Sequence, residues 1–142
     1  MAKLVGARVY DASDQTIANA TGTAVAFDTE MYDTGGFHDN STNNSRLTAP
    51  VSGYYIITGH IRFYGNATGI RWISIREGGD TGIARQYNSS PGAGDIVLSV
   101  ATIYYLAASE YVELMVYQDS GGNLDTRTVS DYAVRFAINR IG

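Results

Sequence analysis

Several residue types that often carry structure or chemistry are absent from this chain or rare in it. The 142 residues include no cysteine, which excludes a disulfide framework and a thiolate zinc site. A chain without thiols is indifferent to redox conditions, so this absence does not identify a compartment. Proline occurs only twice and helix-forming Leu, Glu, Lys and Gln are few. No amphipathic helix of useful length is therefore predicted.

Charge is also sparse. Only 17% of the residues are charged and the net charge is −4, whereas nucleic-acid-binding proteins usually present a basic stripe. The same acidic balance disfavours an anionic membrane surface. No apolar run approaches the roughly 20 residues that span a bilayer, and residues 1–6 do not resemble a signal peptide. We expect no nucleic-acid partner and no membrane insertion. If the protein reaches the outside of the cell, we expect it to do so by lysis, by another export route or as a fragment of a longer chain.

The residues that are abundant suit a β-protein. Tyrosine (11 residues) and Val, Ile and Thr favour strands, while Gly (16 residues), Asn, Asp and Ser supply turns. Recurring strand-like runs separated by turns are typical of a sandwich or barrel. The predicted strands are residues 7–10, 23–28, 46–50, 54–64, 70–76, 83–87, 95–106, 110–118, 124–129 and 132–141, with polar loops at 11–22 and 32–44. Short connections predict antiparallel pairing within a single domain, residues 1–142.

Two long strands are apolar on both sides. In the predicted strand 54–64 one face is apolar, and the opposite face also carries apolar residues, Tyr54 and Ile56. In 95–106, Ile103 likewise lies on the face opposite an apolar one. Such an antiparallel strand needs a cover on each face, and no helix is predicted to supply the second one. A further copy of the chain would supply it; long loops of the same chain are the alternative.

Two further strands have simpler faces. In 110–118, apolar residues alternate with more polar ones, so one face is predicted to be core and the other wet, with Glu110 and Glu113 solvated. In 132–141, small residues such as Ala137 lie opposite the apolar side. Small side chains there would let a neighbouring subunit approach closely.

Several segments resemble the hallmarks of C1q-like domains. Residues 47–59, LTAPVSGYYIITG, resemble the P-x-x-G-x-Y pattern of that family. Residues 106–116, LAASEYVELMV, resemble its L-x-x-G-D-x-V-x-L-x-V strand, with Ser109 where the family usually has Gly. Residues 23–28 and the segment around Phe136 resemble its early and last strands. Without a collagen-like Gly-X-Y stalk, the chain looks like the short C1q/TNF-like domains of bacteria and their phages.

The resemblance implies an all-β, ten-strand jelly-roll sandwich that assembles as a homotrimer. It implies that one sheet, holding the first strand, the last strand and the two strands with two apolar faces, lies against the three-fold axis. The trimer-interface residues implied in this way are Tyr54, Ile56, Thr58, His60, Ala101, Ile103, Tyr105, Arg135 and Ala137. The face pattern of the two long strands selects the same surfaces.

Motifs that carry chemistry are missing. The two histidines, His38 and His60, lack metal-ligand spacing, and there is no nucleophile elbow and no P-loop. A carboxylate pair on distant strands would escape this reading. We expect no enzyme activity, no catalytic residue, no cofactor and no metal.

Two ligand hypotheses stay open beside that expectation. Asp119, Asn123, Asp125 and Asp131 cluster before the last strand and suggest calcium, although Asp-rich turns are ordinarily just turns. If His60 faces a three-fold axis, three imidazoles would converge on a metal or form a pH switch. A hydrogen-bonded interface histidine is the favoured alternative.

The expected function is structural. The leading expectation is a non-enzymatic trimeric virion protein, a phage capsid decoration or fibre-head module, located on the virion surface or outside the cell and partnered by a capsid or other virion protein. The alternative is a module on a bacterial surface or spore coat that binds a receptor or glycan; a secreted C1q-like signalling ligand is less favoured. Aromatic residues that could form a sugar- or protein-binding patch, or fill core and edges, are Tyr32, Phe37, Tyr64, Trp72 and Tyr87.

Overall fold

A computed structural model describes residues 3–129 and 133–142. Its described residues form twelve β-strands, and none of them belongs to a helix that is long and apolar enough to cross a membrane. The strands are β1 (Gly6–Tyr10), β2 (Thr16–Ile17), β3 (Thr23–Ala24), β4 (Thr29–Asp33), β5 (Arg46–Thr48), β6 (Gly53–Phe63), β7 (Ile70–Glu77), β8 (Thr81–Ser89), β9 (Ile96–Leu106), β10 (Tyr111–Gln118), β11 (Leu124–Asp125) and β12 (Arg135–Arg140).

Ten of these strands form two five-stranded antiparallel sheets. The first sheet has the order β4-β1-β12-β6-β9, and the second has the order β3-β10-β7-β8 with β5 also paired to β10. The remaining two strands, β2 and β11, form a separate ribbon. The predicted ten-strand sandwich of two sheets is therefore confirmed, and the first sheet holds the four strands that the resemblance implied for it.

The two sheets pack face to face over one apolar core. Alternation in each strand turns every second side chain inward. Fully buried contributors are Tyr55, Ile57, Ile61 and Phe63 from β6, Ile73 and Ile75 from β7, and Val112, Leu114 and Val116 from β10. Burying one such aliphatic or aromatic side chain contributes about 1.5–3 kcal/mol, which makes this core the main source of stability.

The hallmark motif at the start of β6 has a steric explanation. A Cβ on Gly53 would come within 2.5 Å of the backbone oxygen of Gly142, so only glycine fits there. Tyr55 is buried, donates a hydrogen bond from its hydroxyl to the Val51 carbonyl at 2.6 Å, and meets the Phe37 ring edge-on at 5.9 Å. Burial raises the pKa of Tyr55.

The start of β1 and the end of β12 lie side by side. Gly6 at the start of β1 pairs with Asn139 near the end of β12. One step further out, the Arg140 amide donates to the Val5 carbonyl at 2.8 Å. The described start and end of the chain therefore leave the sandwich at the same pole.

The long predicted strands are confirmed, but several shorter segments differ, and the predicted strand 23–28 shortens to β3. β4 lies partly in the predicted loop 32–44, and β2 lies in the predicted loop 11–22. Both strands form through pairing with distant parts of the chain: β4 pairs with β1 across a bulge, and β2 pairs with β11. A local sequence pattern does not predict pairing of this kind. The predicted strand 124–129 shortens to β11, and the predicted start of the last strand, Tyr132, lies outside the described residues.

The outward face of β10 is drier than predicted. Glu113 is 7% exposed, so its predicted solvation is wrong. Its carboxylate accepts hydrogen bonds from Arg76 Nη2 at 3.0 Å and from Ser45 Oγ at 2.5 Å. The reason is that β10 has a neighbouring strand on each side, so that Arg76 of β7 and Ser45, which precedes β5, both reach the carboxylate.

Candidate functional site

The side of the first sheet that faces away from the core, here called the outer face, carries all nine predicted interface residues. Strand register sets them side by side: Tyr54 pairs with Tyr105, and Ile56 with Ile103. The pairs Thr58–Ala101, Thr58–Ala137 and His60–Arg135 continue the same rows across β9, β6 and β12. The structure therefore brings the predicted set together, and whether a second subunit contacts it stays a prediction.

One end of the outer face is apolar and open. Tyr54 is 55%, Ile56 38%, Ile103 59% and Tyr105 50% exposed. The rings of Tyr54 and Tyr105 meet edge-to-face with centroids 5.4 Å apart. No loop within residues 3–129 or 133–142 covers these four side chains. Within that part of the chain, the alternative prediction that long loops of the same chain cover the face is therefore wrong.

The predicted set omits one apolar member of this face. Val97 on β9 is 42% exposed and pairs with Arg62 of β6. The alternation that selects Ala101 and Ile103 also selects Val97, so the same signal identifies it.

Two of the predicted interface residues lie deeper than expected. Arg135 and Ala137 are each 9% exposed. The Arg135 guanidinium lies over the Tyr10 ring at 4.6 Å and donates from Nη1 to the Val134 carbonyl at 3.0 Å. They form the floor of a shallow depression of about 330 Å³, whose other main walls are Arg8, Tyr32, Thr58 and His60.

His60 is hydrogen-bonded within the subunit. Its Nδ1 lies 2.5 Å from the Ala133 carbonyl, and since a carbonyl only accepts, Nδ1 carries a proton. This contact agrees with the favoured alternative of a hydrogen-bonded histidine. Convergence of three copies on a metal ion stays untested.

A carboxylate with two arginines closes one end of the outer face. Asp95 Oδ2 accepts from Arg62 Nε and from Arg127 Nη1, each at 2.9 Å, while Oδ1 accepts from the Gly65 amide at 3.0 Å. Burial alone would raise the pKa of Asp95, but the hydrogen bonds and positive charges of Arg127 and Arg62 outweigh it and hold the pKa below its usual value.

The predicted calcium residues serve other purposes where the structure describes them. Asp119 Oδ1 accepts from the Ile70 amide at 2.6 Å at the start of β7, and Asp125 Oδ1 accepts from Thr16 Oγ1 at 2.7 Å. Asp131 lies outside the described residues. Within the described part of the chain, no three His, Asp or Glu side chains come close enough to share a metal ion.

The five aromatic residues singled out in the sequence do not form one patch. Phe37 is 1% exposed and belongs to the core, which agrees with the alternative that these aromatic residues fill the core and edges. Tyr32 lies on the outer face of the first sheet, and Tyr64 bonds to Asp14 at an end of the sandwich. Trp72 and Tyr87 are cross-strand neighbours on the second sheet.

Solved structures with this strand arrangement decide the fold. A crystal structure of murine APRIL at pH 5.0 matches with a TM-score of 0.71 and 11% identity, covering 98% of this chain and 100% of that chain. Another, at pH 8.0, matches with a TM-score of 0.73 and 10% identity over the same shares. The fold is TNF-like.

At these identities the likeness shows the fold alone. The TNF-like jelly roll expected from the sequence is confirmed, while its short bacterial or phage type stays a prediction. No family model matches the chain, and no curated protein matches it.

Proposed function

We propose that the protein is a non-enzymatic structural module that assembles as a homotrimer through the outer face of the first sheet. The supporting observation is the exposed apolar end formed by Tyr54, Ile56, Ile103 and Tyr105. Contiguous apolar surface of this kind marks interaction sites in soluble proteins. Burying it against further copies removes it from water on every subunit at once.

A second copy fits this face better than an unrelated partner. Oligomers of one chain close by symmetry, so each copy offers the same apolar rows to the next. Thr58, Ala101 and Ala137 in the middle of the face are small enough to permit close approach. Three-fold rather than two-fold closure follows from the resemblance to C1q/TNF-like domains, and a TNF-like fold is typically non-catalytic.

Sedimentation equilibrium at micromolar concentration tests the assembly. We expect the mass of three 15.3 kDa chains for the wild type and a folded monomer for Ile103→Asp, because a buried unpaired carboxylate is costly. Tyr87→Asp is the matched control, since Tyr87 on the second sheet is 58% exposed and Ile103 is 59% exposed. A monomeric wild type, or two variants with the same mass, would contradict the trimer.

The setting that we propose for the trimer is the surface of a virus particle, as capsid decoration or fibre-head module. A compact trimer without a catalytic set suits such a role. Quantitative mass spectrometry of purified particles, with location by electron microscopy, tests it. We expect stoichiometric protein at three-fold positions; protein found on bacterial cells or spore coats and never on particles would contradict it.

Receptor or glycan binding is the second candidate function. The observation that favours it lies on the second sheet, where Trp72, Tyr87 and Tyr117 form a cross-strand aromatic row. A glycan array separates adhesion from scaffolding, because a pure scaffold binds none of the arrayed saccharides.

A further inference from the structure

A second depression lies on the side of the second sheet that faces away from the core, and it is unrelated to the proposed subunit contact. It measures about 260 Å³ and is open to solvent. Its principal lining residues are Trp72, Ser74, Arg76, Asp80, Arg85 and Met115. Because the two sheets pack face to face, this surface points away from the outer face of the first sheet.

An aromatic and cationic stack forms the wall of the depression. The Trp72 indole stacks on the Tyr117 ring at 5.3 Å with an interplanar angle of 2°. The Arg85 guanidinium lies over the indole at 4.1 Å. Since Tyr117 is on β10 and Arg85 is on β8, the indole is held between the two strands that flank β7.

Arg85 keeps its donors for another molecule. Within the described residues its guanidinium forms no hydrogen bond and no ion pair, and its contact with the Trp72 ring restricts the positions it can adopt. Arginine held in this way presents a rigid fork of N–H groups that matches a carboxylate. A second guanidinium, that of Arg76, bonds to Glu113 through Nη2 and has a buried Nε without a partner in the structure.

The other groups at the depression are those that a sugar ring uses. Asp80 is exposed and has no hydrogen-bond partner among the described residues, so it is free to accept from ligand hydroxyls. Outside the depression itself, Tyr87 is the cross-strand neighbour of Trp72 and is 58% exposed, so its ring offers a flat apolar surface to C–H groups of a ligand that extends beyond the depression.

We propose that this depression binds an acidic saccharide residue, a uronic or sialic acid, with its carboxylate on Arg85 and Arg76. A polysulfated or polyphosphate chain fits less well, because Asp80 and Glu113 lie in or beside the site and the net charge of the chain is −4. An acidic peptide supplies the carboxylate but no ring hydroxyls for Asp80. The proposal does not depend on trimer formation.

The chain contains its own reporter for this site. Trp72 is its only tryptophan, so a ligand that disturbs the Arg85–Trp72 stack changes the only indole emission. The full chain is titrated with methyl glucuronide and with the methyl glycoside of N-acetylneuraminic acid. Each ligand is added up to millimolar concentration at constant ionic strength. Methyl glucoside, which lacks the carboxylate, is the neutral control. Saturation-transfer NMR of the same ligands provides a second readout that does not depend on fluorescence.

We expect a saturable response to at least one acidic saccharide and none to methyl glucoside. Arg85→Gln should weaken binding about tenfold or more, because it removes a charge-assisted contact. Arg85→Lys should weaken it less, since the charge remains. Arg46→Gln is the matched control: its guanidinium also lies 4.1 Å from an aromatic ring, that of Tyr111, but outside the depression.

Four results would overturn the proposal. They are no binding of either acidic saccharide by both readouts, an equal response to the neutral glucoside, equal weakening by Arg46→Gln and Arg85→Gln, and tighter binding of a short Asp/Glu peptide than of the saccharides. Circular dichroism establishes that each variant is folded. If Arg85→Gln does not fold, Arg85→Lys and the wild-type titrations still decide the matter.

Discussion

Single residues carry strain that the surrounding structure tolerates. Ser109, in the turn before β10, has a φ of 76°, a left-handed conformation that costs a non-glycine residue about 1–2 kcal/mol. The turn is held by hydrogen bonds between Ala107 and Glu110 in both directions, at 3.1 Å and 2.8 Å. The C1q-like pattern has Gly at this position, and the observed φ gives the physical reason for it.

Ser109→Gly should therefore stabilise the protein. We expect the free energy of unfolding to rise by about 0.5–1 kcal/mol, less than the strain removed, because glycine also gains freedom in the unfolded chain. Urea unfolding at one fixed protein concentration measures the change. Ala107→Gly, whose φ is not positive, should lower stability; a loss of stability in Ser109→Gly would contradict the prediction.

Asp95 gives stability that depends on pH. Its pKa is lowered in the folded protein, so its contribution is complete above the unfolded pKa of about 4 and is lost as the pH falls through the folded value. Asp95→Asn should lower the melting temperature at pH 7 and flatten its decline between about pH 5 and pH 2. Melting curves across this range measure both effects.

The matched control for that experiment is Asp80→Asn. Asp80 is exposed, and the described residues offer it no ion pair. It should leave the melting temperature at pH 7 unchanged. If the melting temperature of Asp95→Asn fell with pH as steeply as that of the wild type, Arg62 and Arg127 would not stabilise this carboxylate.

At the scale of elements, the pairing of β6 with β9 determines both core and surface. The two strands pair along their full length, from Gly53 opposite Leu106 to Phe63 opposite Ile96. One side of this pair packs against the second sheet, and the other carries the apolar end of the outer face. Gly59 packs tightly against the second sheet, since a Cβ there would lie 2.5 Å from Leu114 Cδ1.

Gly59→Ala should accordingly strain the packing between the sheets. We expect a loss of about 1–3 kcal/mol in the free energy of unfolding, because overpacking a dense core displaces its neighbours. Denaturant titration at fixed protein concentration measures it. Gly94→Ala, where an added Cβ meets nothing within 4 Å, should be nearly neutral. Equal effects would contradict the proposed contact with Leu114.

The sequence predicts those elements whose signal is local. Alternation over the long strands places Ile57 inward and Ile103 outward without knowledge of any partner strand. The solvation of Glu113 is mispredicted because its burial depends on Arg76 and Ser45, which are distant in the chain.

The depression on the second sheet is beyond sequence reasoning for the same reason. Trp72 is noticed as an aromatic residue, but the stack with Tyr117 and Arg85 exists only through the register of β7 with β10 and β8. Asp80 comes from the turn between β7 and β8, and nothing in the sequence around it indicates a site.

The whole molecule has two outward sheet faces of different character. One has an apolar end that suits contact with further copies; the other carries stacked aromatic rings and arginines. The division would let the proposed trimer contact and the proposed saccharide site be occupied together, because they lie on opposite surfaces.

Assembly should also appear in the thermal stability. Association of folded subunits stabilises them by mass action. The melting temperature of the wild type should rise with protein concentration, and that of Ile103→Asp should not. Calorimetry over a hundredfold range of protein concentration measures this. Such a range changes the free energy of binding each partner subunit by about 2.7 kcal/mol. A melting temperature of the wild type that stays constant would contradict the trimer.

The neighbouring exits of the two chain ends have a practical consequence. Because Val5 and Arg140 are joined by a backbone hydrogen bond, a short linker between these two positions would close the domain into a ring. Cutting that ring in the turn between β7 and β8 gives a circular permutant with every strand pair intact. Cargo fused beside Val5 or Arg140 would be displayed from one pole, leaving the opposite pole clear.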